Sequence, residues 1–258
     1  GKCLVIGGSG WLGSFIVNEL LQLSRTPHAD ISVYSIDIKK PSKDMEILHS
    51  GEVFEMCDIR NDDAVYDVIC RINPAVVFLV AAVIDLRQYP STLLADVNIS
   101  GAVNVLNALH SLSSSSRRFL VYTSTLDVIS GKHGAGGGDE LVPYADDSSS
   151  NFYKKSKIIA ERNVLSSNCS SLRTVSLRPG HLYGPFDPIL LIAANTPVAI
   201  GPASARMSFT YIENCAKAHI RAAGRLQWEA NLESGALTDD LVLSGNPLFI
   251  CDIDVNFS

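Results

Sequence analysis

A chain of 258 residues with 47% hydrophobic and 19% charged side chains has material for one large α/β domain, or one domain with a small lobe. Its net charge of -6 and the absence of any basic block exclude nucleic acid as an expected partner. The six cysteines, Cys3, Cys57, Cys70, Cys169, Cys215 and Cys251, include no C-x-x-C pair, so neither a disulfide framework nor a metal site is expected.

Reduced thiols in a cytoplasmic compartment follow as the expectation. No apolar run reads as long enough for a membrane span, and no leader precedes the first strand. The lack of an initiator Met points to residues ahead of Gly1, which leaves an anchor outside this stretch open.

The apolar triplet Leu4-Val5-Ile6 predicts a buried strand, and residues 11–23 predict an amphipathic helix. Gly7, Gly8, Gly10 and Gly13 fill the turn and the helix start. Glycine permits positive φ and close backbone approach, and a helix start offers unpaired N–H groups with the positive end of its dipole. Strand, glycine turn and helix together predict a dinucleotide cradle, with Trp11 and Leu12 at its helix end. Residues 31–37 predict a second strand that ends on Asp37. A carboxylate there accepts from both ribose hydroxyls of NAD and repels a 2′-phosphate, so NAD is favoured, although Lys39 and Lys40 follow closely.

Residues 53–58 predict a third strand, with Asp58 and Ile59 where an adenine ring would lie. A helix over 62–72 is capped by Asn61. The apolar run 75–80 suits a strand buried on both faces, and Ala81 and Ala82 after it are small enough to let a dinucleotide pass. A long helix over 94–112 carries Asn98 and Asn104, and a fifth strand over 119–123 ends in Ser124-Thr125. Residues 130–150 predict a polar, mobile loop. A helix over 151–165 carries Tyr153 and Lys157, and a sixth strand covers 175–177. Further on the alternation loosens, with helices over 189–194 and 212–226 and short strands over 198–200 and 241–243.

Strand–helix alternation predicts a Rossmann-type, doubly wound parallel sheet. Residues 1–178 form its NAD-binding domain, and 179–258 form a shortened substrate lobe interleaved with the last strands. Tyr153 and Lys157 are spaced i, i+4 and share a helix face. A phenol is a poor base near neutrality. A neighbouring ammonium favours phenolate and also reaches a nicotinamide ribose. With a strand-end hydroxyl, Thr125 or Ser124, to hold the substrate oxygen, the set predicts a proton-transfer site beside a hydride acceptor.

These motifs, together with Arg178-Pro179 and Tyr183-Gly184-Pro185, resemble the extended short-chain dehydrogenase/reductase superfamily. Within it the chain is most similar to the 3β-hydroxysteroid dehydrogenase family, including sterol-4α-carboxylate 3-dehydrogenases, through Val5-Ile6-Gly7-Gly8-Ser9-Gly10 and through residues 207–214 with Ala218-His219. The resemblance implies Tyr153 as catalytic acid–base, Lys157 as its partner, Thr125 as the upstream hydroxyl with Ser124 as second candidate, and Asn98 as a supporting side chain. It also places Pro179 beside the nicotinamide and makes His181 a structural loop residue.

The implied activity is NAD-dependent oxidation of a ring hydroxyl, most plausibly 3β on a sterol, with loss of carbon dioxide from a 4α-carboxylate. The implied partner is a small molecule, with homodimer formation through the helices over 94–112 and 152–165. The stretch between Pro185 and Phe209 and the carboxyl-terminal part are both shorter than the resemblance implies. A sugar-nucleotide epimerase or dehydratase, using Arg206, and a non-catalytic dinucleotide sensor are the alternatives.

Overall fold

The computed structural model describes residues 1–84, 92–113, 116–129, 140, 142–145, 151–188, 206–232 and 242–256. Seven parallel strands form its main sheet: β1 (Lys2–Ile6), β2 (Ser32–Asp37), β3 (Val53–Met56), β4 (Val76–Leu79), β5 (Arg118–Thr123), β6 (Leu172–Pro179) and β9 (Pro247–Ile250). Their order is β3-β2-β1-β4-β5-β6-β9, and the direction of winding reverses beside β1. In such sheets ligands bind outside the carboxyl ends of the strands at this switch point. A second sheet of three strands, β7 (His181–Tyr183), β8 (Arg206–Tyr211) and β10 (Ile253–Asn256), has the order β10-β8-β7.

The period-2 alternation of strand side chains divides the core between the two faces. Cys3 and Val5 of β1 face one cluster, together with α1 (Trp11–Ser24) and α6 (Ile212–Ala230). Leu4 and Ile6 face the other, with α2 (Asp62–Ile72), α4 (Ala102–Ser111) and α5 (Phe152–Ser166). Asn61 and Asn151 cap α2 and α5 by accepting from the backbone N–H of Ala64 and Lys154.

Several sequence expectations are corrected. The long helix over 94–112 is an α-turn α3 (Thr92–Leu94), a wider π-helical stretch Ala95–Gly101 and then α4. That continuous helix, Thr92–Ser111, does have the length and hydropathy of a membrane span, against the reading that no segment reaches it. Val105, Leu106 and Leu109 bury one side of it in the core cluster under the sheet, and Leu94 is buried as well, as in a core helix.

Strand three stops at Met56, and a 3-10 helix (Lys43–His49) precedes it. Residues 242–243 form no strand, because the Glu229 carboxylate takes the Leu243 and Ser244 N–H groups that a ladder would use. The seventh strand is instead β9, four residues later. The helix and strand expected over 189–194 and 198–200, and most of the loop expected over 130–150, lie outside the described residues.

Candidate active site

The turn after β1 is shaped by backbone that only glycine fits easily. Gly7 has φ of +89°, and a Cβ on it would sit 2.5 Å from the Ala81 nitrogen. A Cβ on Gly13 would lie 2.0 Å from the Gly7 carbonyl. At Gly10 that same carbonyl, at 3.2 Å, is the only neighbour a Cβ would meet among the described residues, which leave the outer side of the loop open. Ser9 Oγ is buried there with no partner among the described residues, and the Ser9 N–H donates to Asp37 Oδ2 at 3.1 Å. Burial pushes the Asp37 carboxyl up, opposed by the N–H groups of Ser9, Ile38 and Lys39.

The open cradle, the orphan hydroxyl and the half-buried carboxylate at the switch point fit a dinucleotide. Ala81 and Ala82 follow β4 directly alongside. Leu12 is buried in the core, and the Trp11 indole N–H donates to the Pro185 carbonyl at 2.7 Å. These two side chains therefore brace the cradle rather than face into it.

Asp58 lies beyond the end of β3, paired with Arg60 through Nε at 2.9 and 3.0 Å and Nη2 at 2.5 Å. The hydrogen bonds from Arg60 hold its carboxyl below the usual range. Asp58, Arg60, Asn61, Asp96 and Ser100 line a cleft of about 400 Å³. The Ile59 side chain is turned into the core against Gly101, and its carbonyl accepts from Asn104. With its side chain in the core, Ile59 offers the cleft its backbone. Pro179 closes β6 and is buried.

Tyr153 and Lys157 lie on the buried face of α5, 7% and 2% exposed. Lys157 Nζ donates to the Thr123 carbonyl at 2.5 Å and stands 4.4 Å from the Tyr122 ring centroid. Burial lowers its ammonium to about 7, while Glu161 one turn further on pushes it back up. The expectation that Lys157 lowers the Tyr153 hydroxyl is corrected for this state. Burial raises Tyr153 well above its usual range, and the Asp127 carboxylate raises it further. The i, i+4 spacing brought the two residues onto one face, but desolvation sets the direction at the Tyr153 hydroxyl.

Thr125 Oγ1 accepts the Asp127 N–H at 3.2 Å, which leaves its own proton to donate. Ser124 Oγ is buried and has no partner among the described residues. Asn98 sits in the π-helical stretch. Its Nδ2 donates to Ser156 Oγ at 2.9 Å and to the Val83 carbonyl at 3.0 Å, and its Oδ1 accepts from the Val83 N–H at 2.8 Å. It therefore ties the chain after β4 to the residue preceding Lys157. π-helical turns recur at functional sites. The side chain of Arg206 lies outside the described residues.

Two buried polar links escaped the sequence reading. Glu161 Oε1 accepts from Arg178 Nε at 2.9 Å and Nη2 at 2.5 Å and from the Tyr144 hydroxyl at 3.0 Å. The i+4 position of Glu161 after Lys157 was its available signal. His219 Nδ1 lies 2.7 Å from the Cys215 carbonyl and Nε2 lies 2.8 Å from Thr123 Oγ1. A carbonyl only accepts, so the proton is assigned to Nδ1 and Nε2 accepts from the threonine. His219 thus steadies the residue whose carbonyl holds Lys157.

Burial lowers His219 to about 4, so in the folded chain it stays neutral. A base whose folded pKa is depressed contributes full stability above its unfolded value near 6.5, and that contribution is lost as the pH falls towards 4. Urea unfolding across this window is expected to show wild type weakening as pH falls, and His219→Asn showing a flatter profile.

The fold and these side chains define a Rossmann-type dinucleotide-binding α/β protein with a buried Tyr–Lys pair at the sheet's carboxyl edge. The model of the 3-beta hydroxysteroid dehydrogenase/isomerase family matches residues 4–254, and the chain belongs to that family. It is 29% identical over 241 residues to a 3 beta-hydroxysteroid dehydrogenase/Delta 5-->4-isomerase of Mycobacterium tuberculosis, covering 88% of this chain and 61% of that protein. It is 29% identical over 233 residues to a decarboxylating sterol-4-alpha-carboxylate 3-dehydrogenase of Candida albicans, covering 86% and 64%. The chain thus spans less than two thirds of the length of these relatives. Among solved structures, a UDP-glucose 4-epimerase of Thermus thermophilus complexed with NAD superposes with a TM-score of 0.74 at 23% identity, covering 100% of this chain and 80% of that one.

Proposed function

We propose that the chain is the catalytic part of an NAD-dependent dehydrogenase that oxidises a ring hydroxyl, 3β on a sterol or steroid, to a ketone. The observation that carries the reading is the buried Tyr153–Lys157 pair at the carboxyl end of β5, on the same sheet as a glycine cradle with Asp37 at its ribose end. The names of the relatives support the substrate class.

Gly7, Gly10 and Gly13 would hold the pyrophosphate, Asp37 the ribose hydroxyls, and Asp58 with the backbone of Ile59 the adenine edge. NAD, when bound, supplies the hydride acceptor and a positive ring. Tyr153 would act as the phenolate, its own proton having first passed to solvent with a charged Lys157 stabilising the anion, and would then take the substrate hydroxyl proton. Thr125, its lone pair fixed by Asp127, donates to the same oxygen, and the orphan Ser124 hydroxyl stands beside it. A charged Lys157 has three donors and commits one to Thr123, which leaves two for the ribose and the phenolate.

Where the substrate carries a 4α-carboxylate, the new ketone makes it a β-keto acid, which loses carbon dioxide without a further dedicated base. The test is a screen for NADH formation with 3β-hydroxysterols, 4α-carboxysterols and UDP-sugars. Sterol-dependent NADH formation is expected. Turnover of UDP-sugars without net NADH would favour the epimerase reading, and cofactor binding with no turnover of any substrate the sensor reading.

A further inference from the structure

His49 and Glu52 take no part in the site above. The 3-10 helix Lys43–His49 packs along α1, and Gly51, with φ of +120°, turns the chain so that Glu52 returns beside His49. His49 Nδ1 lies 2.5 Å from Glu52 Oε1, and Nε2 lies 2.9 Å from Ser14 Oγ. The two side chains are 6% and 3% exposed, and Ser14 is fully buried. Ser14 follows the last glycine of the cradle, and its Oγ lies 2.8 Å from the Gly10 carbonyl and 3.2 Å from the Gly8 carbonyl.

The proton assignment follows from chemistry. Carbonyls only accept, so the single Ser14 hydroxyl proton goes to the loop. Ser14 Oγ then accepts from His49, and Nε2 carries a hydrogen. The contact between Nδ1 and Oε1 holds one further proton, on either partner. Both arrangements point the same N–H at Ser14.

We propose that His49 is a positioning residue for the dinucleotide cradle. Glu52 orients it, and it acts through Ser14 to keep the Gly8 carbonyl tied behind the loop, away from the bound pyrophosphate; the Gly10 carbonyl is held in addition by the Ser14 backbone N–H at 2.9 Å. A released Gly8 carbonyl oxygen would present its negative dipole end to the phosphates. The inference rests on the dinucleotide reading and is independent of which alcohol is oxidised.

Titration of the purified chain with NAD, and separately with adenosine, tests it. His49→Ala is expected to weaken NAD about tenfold and to leave adenosine, which has no phosphate, unchanged. Ser14→Ala should weaken NAD similarly, and the double variant should be no weaker than Ser14→Ala alone, because one connection is broken twice. His49→Gln, which keeps an N–H donor, should recover part of the loss. If His49→Ala does not fold, Ser14→Ala and His49→Gln carry the same comparison. Unchanged NAD binding, equal weakening of adenosine, or independent addition of the two effects would overturn the proposal. Failure of the wild-type chain to bind NAD would overturn the dinucleotide reading and this inference together.

Discussion

Tyr153→Phe is expected to lower sterol-dependent NADH formation about a hundredfold to ten-thousandfold, the usual worth of a positioned acid–base group, while the variant still folds and still binds NAD. The substitution removes one oxygen from a side chain that is 7% exposed and leaves its ring packing in place. In the unliganded chain that hydroxyl is held protonated by burial and by Asp127. It becomes a base only when cationic charge dominates the cleft, so the loss should fall on turnover rather than on NAD affinity. Steady-state kinetics with saturating NAD, paired with a binding titration, separates the two. Near-normal turnover by the variant would remove Tyr153 from the chemistry.

Glu161→Gln is expected to have the largest effect on stability. The Arg178–Glu161 pair is 3% and 0% exposed, and Tyr144 donates to the same carboxylate oxygen. Removing one charge leaves the guanidinium buried and uncompensated between the Tyr144 and Phe249 rings, at 5.2 and 5.8 Å. Such losses run to about 3–5 kcal/mol, and urea unfolding at neutral pH measures them. A second effect follows from the Coulombic support that Glu161 gives Lys157. Without it the ammonium, already lowered to about 7, falls further. The fraction of charged Lys157 at neutral pH drops, so the pH profile of turnover should shift towards acid in the variant.

The sequence was most legible where local chemistry decides the structure. The glycine turn after β1, Asp37 at the end of β2 and the Asn61 cap of α2 were all read from residue type and spacing, whereas Asn151 was taken into the helix that it caps. The continuous apolar run at β4 marked a strand buried on both faces. Beyond β6 this logic weakened. β7, β8 and β10 are short and broken by polar residues, and the apolar run of β9, Leu248 to Ile250, is only three residues long and opens on Pro247. The apolar 241–243 drew a strand expectation, yet the Glu229 carboxylate, from another element, takes the N–H groups of Leu243 and Ser244.

The site divides in the same way. Tyr153, Lys157 and Asn98 were named as candidates from spacing and resemblance. Three long-range links could not be, since each joins residues far apart in the chain: Glu161 to Arg178, Thr123 to His219, and Ser14 to His49. The electrostatic sign at Tyr153 was also hidden. Spacing reports which groups are neighbours, whereas desolvation depends on how deeply the helix face is buried.

The most direct measurement follows the hydrogen itself. A 3β-hydroxysterol carrying deuterium on the carbinol carbon, incubated with the chain and NAD, should give a ketone and NADH that has gained the deuterium at its nicotinamide ring, by mass spectrometry. NADH without the label, or a sterol returned intact alongside bound NAD, would contradict hydride transfer at this site.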